Sequence, residues 1–567
     1  MVSIAEVEAH PRDFLDGSQA AHLTPVDRYL AEQQELTAVE RFAQAHAAAE
    51  LPLQARYYSS LLPAAPPGPG EQYAFEVDLD ACSGCKACVV ACNSLNGLDE
   101  SETWRDVGLI SGGSDQQPFQ QHVTAACHHC LDPACLNVCP VRAYEKDEIT
   151  GIVRHLDDQC IGCQYCVLAC PYDVPKYNSQ RGIVRKCDMC SNRLGIGEAP
   201  ACVQSCPNSA IRITTVAREA AAEDCELGAF LPGAPDPRQT QPTTHYKTNR
   251  VFPRNALPAD YYSVQPEHAH GPLVAMLVLT QLSVGAFAVE FAGQLLWPGA
   301  GLDATQGLQA GAALFLGLVA LGASTLHLGR PHLAFRVVLG LKSSWLSREI
   351  VAFGAFALFA AIYAASIWGT AGGLLGAWQE TCGAAVVGTG LAGILCSIMI
   401  YHCTGRALWT GPSTATRFLL TTALLGLSAA LLTIVAAVAV TAPNAGQHDV
   451  TAIVAFLWRG IAFVSLAKLA FEASLFRHLW TRQHTPLKRT ALLMTRDLAG
   501  AAKWRFALGI AGGLLLPAIW LSGDRETGAT LTLCAAQFGL LLAGELFERY
   551  LFFTAVVAPR MPGGLRT

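Results

Sequence analysis

Of the 21 cysteines in this 567-residue chain, sixteen fall between positions 82 and 206, in four groups of four. Cys82, Cys85, Cys88 and Cys92 are separated by two, two and three residues. Cys127, Cys130, Cys135 and Cys139 are separated by two, four and three, and Pro140 follows. Cys160, Cys163, Cys166 and Cys170 repeat the first spacing and end in Pro171. Cys187, Cys190, Cys202 and Cys206 are separated by two, eleven and three, with Pro207 next. Thiols at i, i+3 and i+6 of one loop can wrap three corners of a cuboidal [4Fe–4S] core, and a fourth that leads into Pro reaches the other cluster of a pair. Proline fixes φ and has no N–H, so the chain turns away after that ligand. Ser83, Gly84, Ala87, Gly162 and Ala169 are small enough to let backbone N–H groups approach the sulfurs. Structural zinc favours two CxxC-like pairs around one tetrahedron, and disulfides follow an oxidising compartment. Neither suits four-in-a-row groups with a terminal Cys-Pro. The pattern reads as four [4Fe–4S] clusters with all sixteen cysteines as ligands.

The rest of the chain splits in two. Residues 1–270 carry 20 Lys and Arg against 34 Asp and Glu, a balance of −14, whereas residues 271–567 carry 19 against 11, a balance of +8. An acidic, cysteine-rich first part argues against nucleic acid as a partner. The second part is a series of apolar segments, each near the ~20 residues that cross a bilayer. Eight spans are expected, near 272–296, 306–328, 349–370, 382–402, 417–441, 450–476, 505–521 and 529–553. The fold class is thus an α+β ferredoxin-like four-cluster domain fused to an all-α eight-span helix bundle. Its expected domains are an extension and linker at 1–70, the cluster domain at 71–225, a connector at 226–271 and a membrane anchor at 272–567.

Within the extension, Thr24 can cap a helix with Pro25 at its first position. Val26, Tyr29, Leu30, Leu36, Val39 and Phe42 follow at near-helical spacing. That stripe either packs on the cluster domain or docks a partner. Pro63 to Gly70 reads as a linker, and strands are expected at 73–79, 151–155 and 210–214. No secretory or twin-arginine signal is visible at the start. With an even number of spans, both ends of the chain share one side. The loops on that side hold sixteen Lys and Arg, from Arg330 to Arg566, and the opposite loops hold Arg525 alone. The positive-inside rule then places the cluster domain in the cytoplasm, at the inner membrane. Basic loops that dock an acidic domain would give the same count.

Ionisable groups inside spans mark a pathway, a pair or a site. Most lie toward the cluster-facing end: His327, Glu349, His402, Lys468, Glu472, Glu545 and Glu548. A quinone bound there would take electrons from the nearest cluster, with His327 and Glu349 carrying protons. His327, Arg330, Glu349 and His402 are the candidate quinone-binding residues. Glu290 and Arg459, in the far half, are expected to form a structural ion pair. Haem is disfavoured because the two candidate histidines both sit at one edge. Cys225, Cys382, Cys396, Cys403 and Cys534 lack ligand spacing and read as small core residues.

These residues resemble a known family. The cysteine groups, including the run Cys127-His-His-Cys-Leu-Asp-Pro-Ala-Cys-Leu-Asn-Val-Cys-Pro140, look like the four-cluster subunit of dimethyl sulfoxide reductase-family molybdoenzymes. His327-Leu-Gly-Arg-Pro331, Ser344-Trp-Leu-Ser-Arg-Glu-Ile350 and Ala543-Gly-Glu-Leu-Phe-Glu548 resemble that enzyme's membrane anchor. Two subunits of the family thus appear here as one chain. The resemblance implies crossed ligation. Cys206 would join Cys82, Cys85 and Cys88, and Cys92 would join Cys187, Cys190 and Cys202. Cys170 would join Cys127, Cys130 and Cys135, and Cys139 would join Cys160, Cys163 and Cys166. It also implies that His327 and Glu349 line the quinol site, and that a separate subunit carries a molybdenum (or tungsten) bis-pterin. Two features depart from the family: the extension 1–70, and a charge count at odds with a periplasm-facing domain. Cytoplasm-facing relatives include sulfite-oxidising enzymes, so sulfite oxidation onto quinone in a respiratory chain is the preferred expectation. The alternatives are a sulfoxide, nitrate or other oxyanion reductase fed by quinol, a proton-translocating quinone oxidoreductase module, and a structural tether delivering electrons to a soluble carrier.

Overall fold

The computed structural model describes residues 24–26, 29–30, 36–49, 54–100, 102–297, 303–368, 378–441, 447–523 and 526–563. The helix expected from Thr24 falls partly outside them. The helix they contain is Ala38–Ala48, opened by a capping box in which Thr37 and Glu40 satisfy each other's backbone N–H groups. It buries no residue: Val39 is 77% exposed and Phe42 50%. Of the two readings of this stripe, packing against the chain's own cluster domain is not what this helix does.

Among the described residues the cluster domain has ten strands: β1 Glu71–Asp78, β2 Asp106–Gly113, β3 Pro118–Ala125, β4 Tyr144–Lys146, β5 Val153–His155, β6 Lys176–Asn178, β7 Ile183–Arg185, β8 Ile211–Ala217, β9 His245–Lys247 and β10 Leu257–Pro258. β8, β1 and β9 make one sheet, with Phe75 opposite Ile213 in the antiparallel pair and Val77 opposite Tyr246 in the parallel one. β10, β2 and β3 make a second, and β4–β5 and β6–β7 are hairpins beside the cysteine loops. The stretch expected to be a connector is therefore part of this domain, because β9 and β10 complete both three-stranded sheets. Proline-rich composition concealed two short pairing segments.

Among the described residues eight helices are long and apolar enough to cross a membrane: Gly271–Leu296, Thr305–Thr325, Trp345–Trp368, Gln379–His402, Gly411–Val440, Thr451–Trp480, Ala499–Leu521 and Thr527–Thr554. The first is the most enclosed, and it packs on the second, fourth, fifth and eighth. It crosses the fifth at Gly285 and Gly426, where a Cβ on Gly285 would lie 2.0 Å from the Thr422 carbonyl oxygen. Without a hydrophobic drive between helices in lipid, such small residues let backbones meet. The seventh span begins at Ala499, earlier than its apolar run, and contains a π-helical turn at Ala511–Leu515 just before Pro517. Its early start carries Lys503 and Arg505 into helix, and Arg505 is 1% exposed.

The two parts meet backbone to backbone. Gly162 and Gly182 both have positive φ, and a Cβ on Gly329 would sit 2.1 Å from the Gly182 carbonyl oxygen. A Cβ on Gly340 would lie 2.5 Å from the Pro140 carbonyl oxygen. The loop after the second span is thus pressed onto the residues just after Cys139 and between Cys160 and Cys163. Around it, Arg330 donates to the Asp157 carbonyl (2.9 Å), Arg336 to the Asp158 carbonyl (2.9 Å) and Ser344 to the Val138 carbonyl (2.7 Å). Tyr165 donates to the Ile400 carbonyl at the end of the fourth span (3.2 Å). At the other end of the chain, Gly563 accepts from the Leu109 N–H (3.2 Å), so the last described residues return to β2.

Candidate electron-transfer and quinone site

The sixteen cysteines gather in crossed sets. Cys82, Cys85, Cys88 and Cys206 line one cavity; Cys127, Cys130, Cys135 and Cys170 line a second; Cys139, Cys160, Cys163 and Cys166 line a third. Cys92 has Cys202 and Cys190 as neighbours, and Cys187 has Cys92, Cys202 and Cys190. Local structure makes the crossing: helix Ala87–Asn96 carries Cys88 into the first set and Cys92 into the next. Among the described residues no group of three or more His, Cys, Asp or Glu converges tightly enough for a single metal ion. The thiols of the first three sets line cavities of about 280 to 370 Å³, an arrangement that fits four-iron cores. Such cores, when bound, supply one-electron steps.

The surroundings are those of sulfur ligands with tuned charge. Backbone N–H groups reach the sulfurs of Cys139 from Ala143 (3.2 Å), Cys160 from Gly162 (3.4 Å), Cys187 from Met189 (3.4 Å) and Cys206 from Ala210 (3.3 Å). Burial pushes the Cys92 thiol up to about 12 and Cys170 up to about 11, so holding thiolates there requires positive charge close by. Two buried cations stand among the sets, and neither is expected from cysteine spacing. Arg105 is 2% exposed; burial works against its charge, but the sulfurs of Cys202, Cys88, Cys187 and Cys92 outweigh that and hold it firmly protonated. Lys186 is 3% exposed and donates toward the Cys127 sulfur (3.6 Å) and the Cys187 carbonyl (2.8 Å). A lysine beside a ligand cysteine was a usable signal for Lys186. Arg105, on no motif, offered none.

Neighbour relations order the sets. The first adjoins the Cys92 set through helix Ala87–Asn96, Cys187 neighbours Cys127, and Cys135 and Cys139 flank one short turn. The set containing Cys139 is the one against the anchor, and Cys85 of the first set is exposed.

At the anchor, the His327 ring lies beside the backbone carbonyl of Cys163. Its centroid is 5.0 Å from that of His270, which stacks on His268 at 5.2 Å. Burial holds His327 below the ordinary imidazole range, opposed by the Cys163 carbonyl, and pushes His270 down to about 4 with help from His327 and His268. Both rings are therefore neutral near pH 7. Glu349 is 5% exposed, and its Oε1 accepts from Ser397 Oγ. The cavities that hold the cysteine sets, and those beside Glu290 and Arg406, do not include His327 or Glu349. His327 is half-buried, and Leu326 before it in the chain is 77% exposed.

Other expected site residues have different tasks. Arg330 latches the anchor loop to the cluster domain by its side chain and by its N–H on the Ile161 carbonyl (3.0 Å). His402 is exposed, and its Nδ1 accepts the Gly411 N–H (3.1 Å) at the start of the fifth span. Glu290 and Arg459 form no pair. Glu290 Oε1 accepts from Tyr363 Oη and Gln294 Nε2, both at 2.8 Å, whereas Arg459 faces outward. A carboxyl met by neutral donors needs no counter-ion on the adjacent helix. Of the five other cysteines, Cys225 and Cys534 are buried as expected, but Cys403 is exposed.

The match to known families divides at the seam. Residues 119–216 match the 4Fe-4S dicluster domain and residues 267–555 the DMSO reductase anchor subunit, DmsC. The probable anaerobic dimethyl sulfoxide reductase chain YnfG of Escherichia coli (strain K12) is 37% identical over 186 residues, 31% of this chain and 89% of that one. The B subunit of the anaerobic dimethyl sulfoxide reductase of Haemophilus influenzae is 39% identical over 150 residues, 25% of this chain and 73% of that one. The formate dehydrogenase-O iron-sulfur subunit of E. coli (strain K12) is 34% identical over 162 residues, 26% and 54% of the two chains. This multi-pass membrane protein, with an iron–sulfur electron-transfer domain joined ahead of eight spans, belongs to the DMSO reductase anchor family.

Proposed function

We propose that this chain carries electrons between a separate molybdenum-pterin catalytic subunit and membrane quinone, through four [4Fe–4S] clusters ligated by the sixteen cysteines in crossed sets. Electrons would enter or leave the partner at the exposed Cys85 end and exchange with quinone at the anchor. The observation that supports this reading is the position of His327, beside the Cys163 backbone of the anchor-side cysteine set and 5.0 Å from His270 between ring centroids. Reduction of quinone takes two electrons and two protons. His327 would hold one quinone oxygen, and His270 and His268 would pass protons from the cluster-facing side. Glu349, kept in place by Ser397, would supply the second. Sulfite oxidation is the preferred reaction of the partner, with quinol-fed reduction of a sulfoxide, nitrate or other oxyanion as the alternative. The charge count favours a cluster domain on the cytoplasmic side of the inner membrane.

His327→Leu and Glu349→Gln are expected to reduce turnover of a water-soluble ubiquinone analogue to background. Dithionite should still bleach the full cluster absorbance of both. Undiminished quinone turnover in both variants sinks the site and favours a tether with a soluble electron acceptor.

One observation favours proton translocation as a second reading. In the half of the anchor away from the clusters, Glu290 is 7% exposed and borders a cavity of about 420 Å³ with Gln294 and Gln309. Its Oε2 is buried without a partner. Gln309 in turn accepts from Thr433 (3.2 Å), so the far half is more polar than its sequence suggests. If protons pass there, Glu290→Gln in proteoliposomes keeps quinone reduction and loses the accompanying change in lumenal pH. Equal pH changes in both proteins remove this reading.

A further inference from the structure

One cavity lies neither among the cysteines nor beside His327. About 740 Å³ in volume, it opens where five chain segments meet at the seam, Gly233 to Pro235 among them. One is the end of the cluster domain, at Pro258, Asp260 and Tyr261. The second is the turn after the fourth span, at Gly405 to Ala407, and the third is the stretch Val557 to Met561 beyond the eighth span. The short helix Pro486–Thr495, which follows the sixth span, closes it with Pro486 and Arg489. Each of these anchor segments lies just past the cluster-facing end of a span. The cavity therefore sits at the depth of lipid headgroups, outside the hydrocarbon.

Its charge is lopsided. Three guanidinium groups line it, those of Arg406, Arg489 and Arg560, against the single carboxylate of Asp260. Arg560 is paired with Asp260. Arg406 is 6% exposed, donates its Nε to the Leu168 carbonyl (3.3 Å) and lies over the Trp409 ring, with no carboxylate in ion-pair contact. Arg489 lies over the Tyr261 ring (4.6 Å), and its Nε is buried without a hydrogen-bond partner. Burial lowers the affinity of both Arg406 and Arg489 for their protons; Glu267 and Asp173 oppose this at Arg406, and Tyr261 and Asp260 at Arg489, without outweighing it. Two unpaired guanidiniums in a roomy pocket at headgroup depth match the known preference of planar forks for phosphate oxygens. The remaining lining, Pro235, Val557, Pro559 and Met561, is apolar and suits a glycerol backbone.

We propose that this cavity binds the phosphate of an anionic phospholipid, which fastens the cluster domain to the anchor at the membrane surface. The inference is independent of the quinone reading, because none of its residues belongs to the His327 site. The lipid would neutralise Arg406 and Arg489 while touching both parts of the chain, so its loss should loosen the seam. Basic pockets at this depth are a recurring mode of lipid recognition.

The test uses the full chain purified in a non-ionic detergent. Dioleoylphosphatidylglycerol, dioleoylphosphatidylcholine and inorganic phosphate are each titrated, and the thermal unfolding midpoint is followed. Phosphatidylglycerol should raise the midpoint saturably and phosphatidylcholine should not. Arg489→Gln should weaken the apparent affinity about tenfold or more, the scale of one lost charge-assisted hydrogen bond. Arg489→Lys should recover part of it, and Arg406→Gln should repeat the loss. Cluster absorbance confirms that each variant is folded. If a variant does not fold, phospholipid co-purified with the unmodified chain, measured by mass spectrometry, decides by enrichment of phosphatidylglycerol over the membrane extract. Stabilisation by millimolar inorganic phosphate alone would assign the same arginines to a soluble anion and overturn the lipid. No shift with any additive, or the same shift in Arg489→Gln as in the unmodified chain, overturns the site.

Discussion

Replacing Cys139 by Ala should remove the cluster beside the anchor, and quinone reduction should fall to background with it. In sequence, Cys139 closes the group that begins at Cys127, and order along the chain alone would assign it there. In space its sulfur shares a cavity with Cys160, Cys163 and Cys166, and accepts the Ala143 N–H at 3.2 Å. Cys170 makes the reciprocal move and shares a cavity with Cys127, Cys130 and Cys135. Loss of one thiolate should cost about four irons, one [4Fe–4S] core, per chain. The discriminating result is an equivalence of spectra. Cys139→Ala and Cys166→Ala should lack the same low-temperature electron paramagnetic resonance signal after reduction, while Cys135→Ala and Cys170→Ala lack a different one. Only the first pair touches the set against the anchor loop at Gly329 and Gly340, so only that pair severs the wire at its membrane end. Identical signals from Cys139→Ala and Cys135→Ala would falsify the crossed sets.

The cysteines were legible because ligation imposes spacing on the chain itself: three thiols must come from one short loop to wrap one core. Spans were legible for a similar reason, since a bilayer demands length and apolarity locally. What escaped the sequence depends on contacts between distant segments. Nothing in the Pro-rich stretch around Pro242 announces that His245–Lys247 will add to β1, because a three-residue strand takes its register from its partner. The seam glycines are separated by more than 140 residues, and each is required only because the other backbone arrives.

Charge was misread more instructively. Arg417, Arg505 and Arg549 count among the sixteen basic residues of the cluster-facing loops, yet all three are buried within helices. Arg330 and Arg336 bind carbonyls of the cluster domain. A basic residue near a span end looks the same in sequence whether it serves topology, docking or an internal ion pair. The count therefore mixes three causes, and only the exposed remainder, such as Arg482 and Arg496, is free to act through the positive-inside rule.

The buried charges make the second large prediction, and its sign follows from counting them. Lys468, 0% exposed, lies 3.4 Å from Glu472 and 3.3 Å from Glu545, and donates to Thr421 Oγ1 (2.9 Å). Arg505 meets Glu472 at 2.8 Å and Glu545 at 3.0 Å; Arg417 meets Glu548 at 2.8 Å, and Arg549 meets it at 3.5 Å. Four cations thus face three carboxylates, an excess of one positive charge. Glu545→Leu doubles that excess and leaves Lys468 and Arg505 competing for Glu472. Removing one partner of a buried ionic group costs about 3–5 kcal/mol, because the remaining charge stays desolvated and uncompensated. Lys468→Met instead brings the count to three against three and keeps every carboxylate beside an arginine, so it should cost clearly less. The double variant should be more stable than Glu545→Leu alone, with a coupling of about 1–3 kcal/mol. Unfolding midpoints of the four proteins in one detergent measure this directly. If Lys468→Met proves the more damaging single change, the network is held by its hydrogen bonds to Thr421 and the Arg417 carbonyl, and charge balance is not what stabilises it.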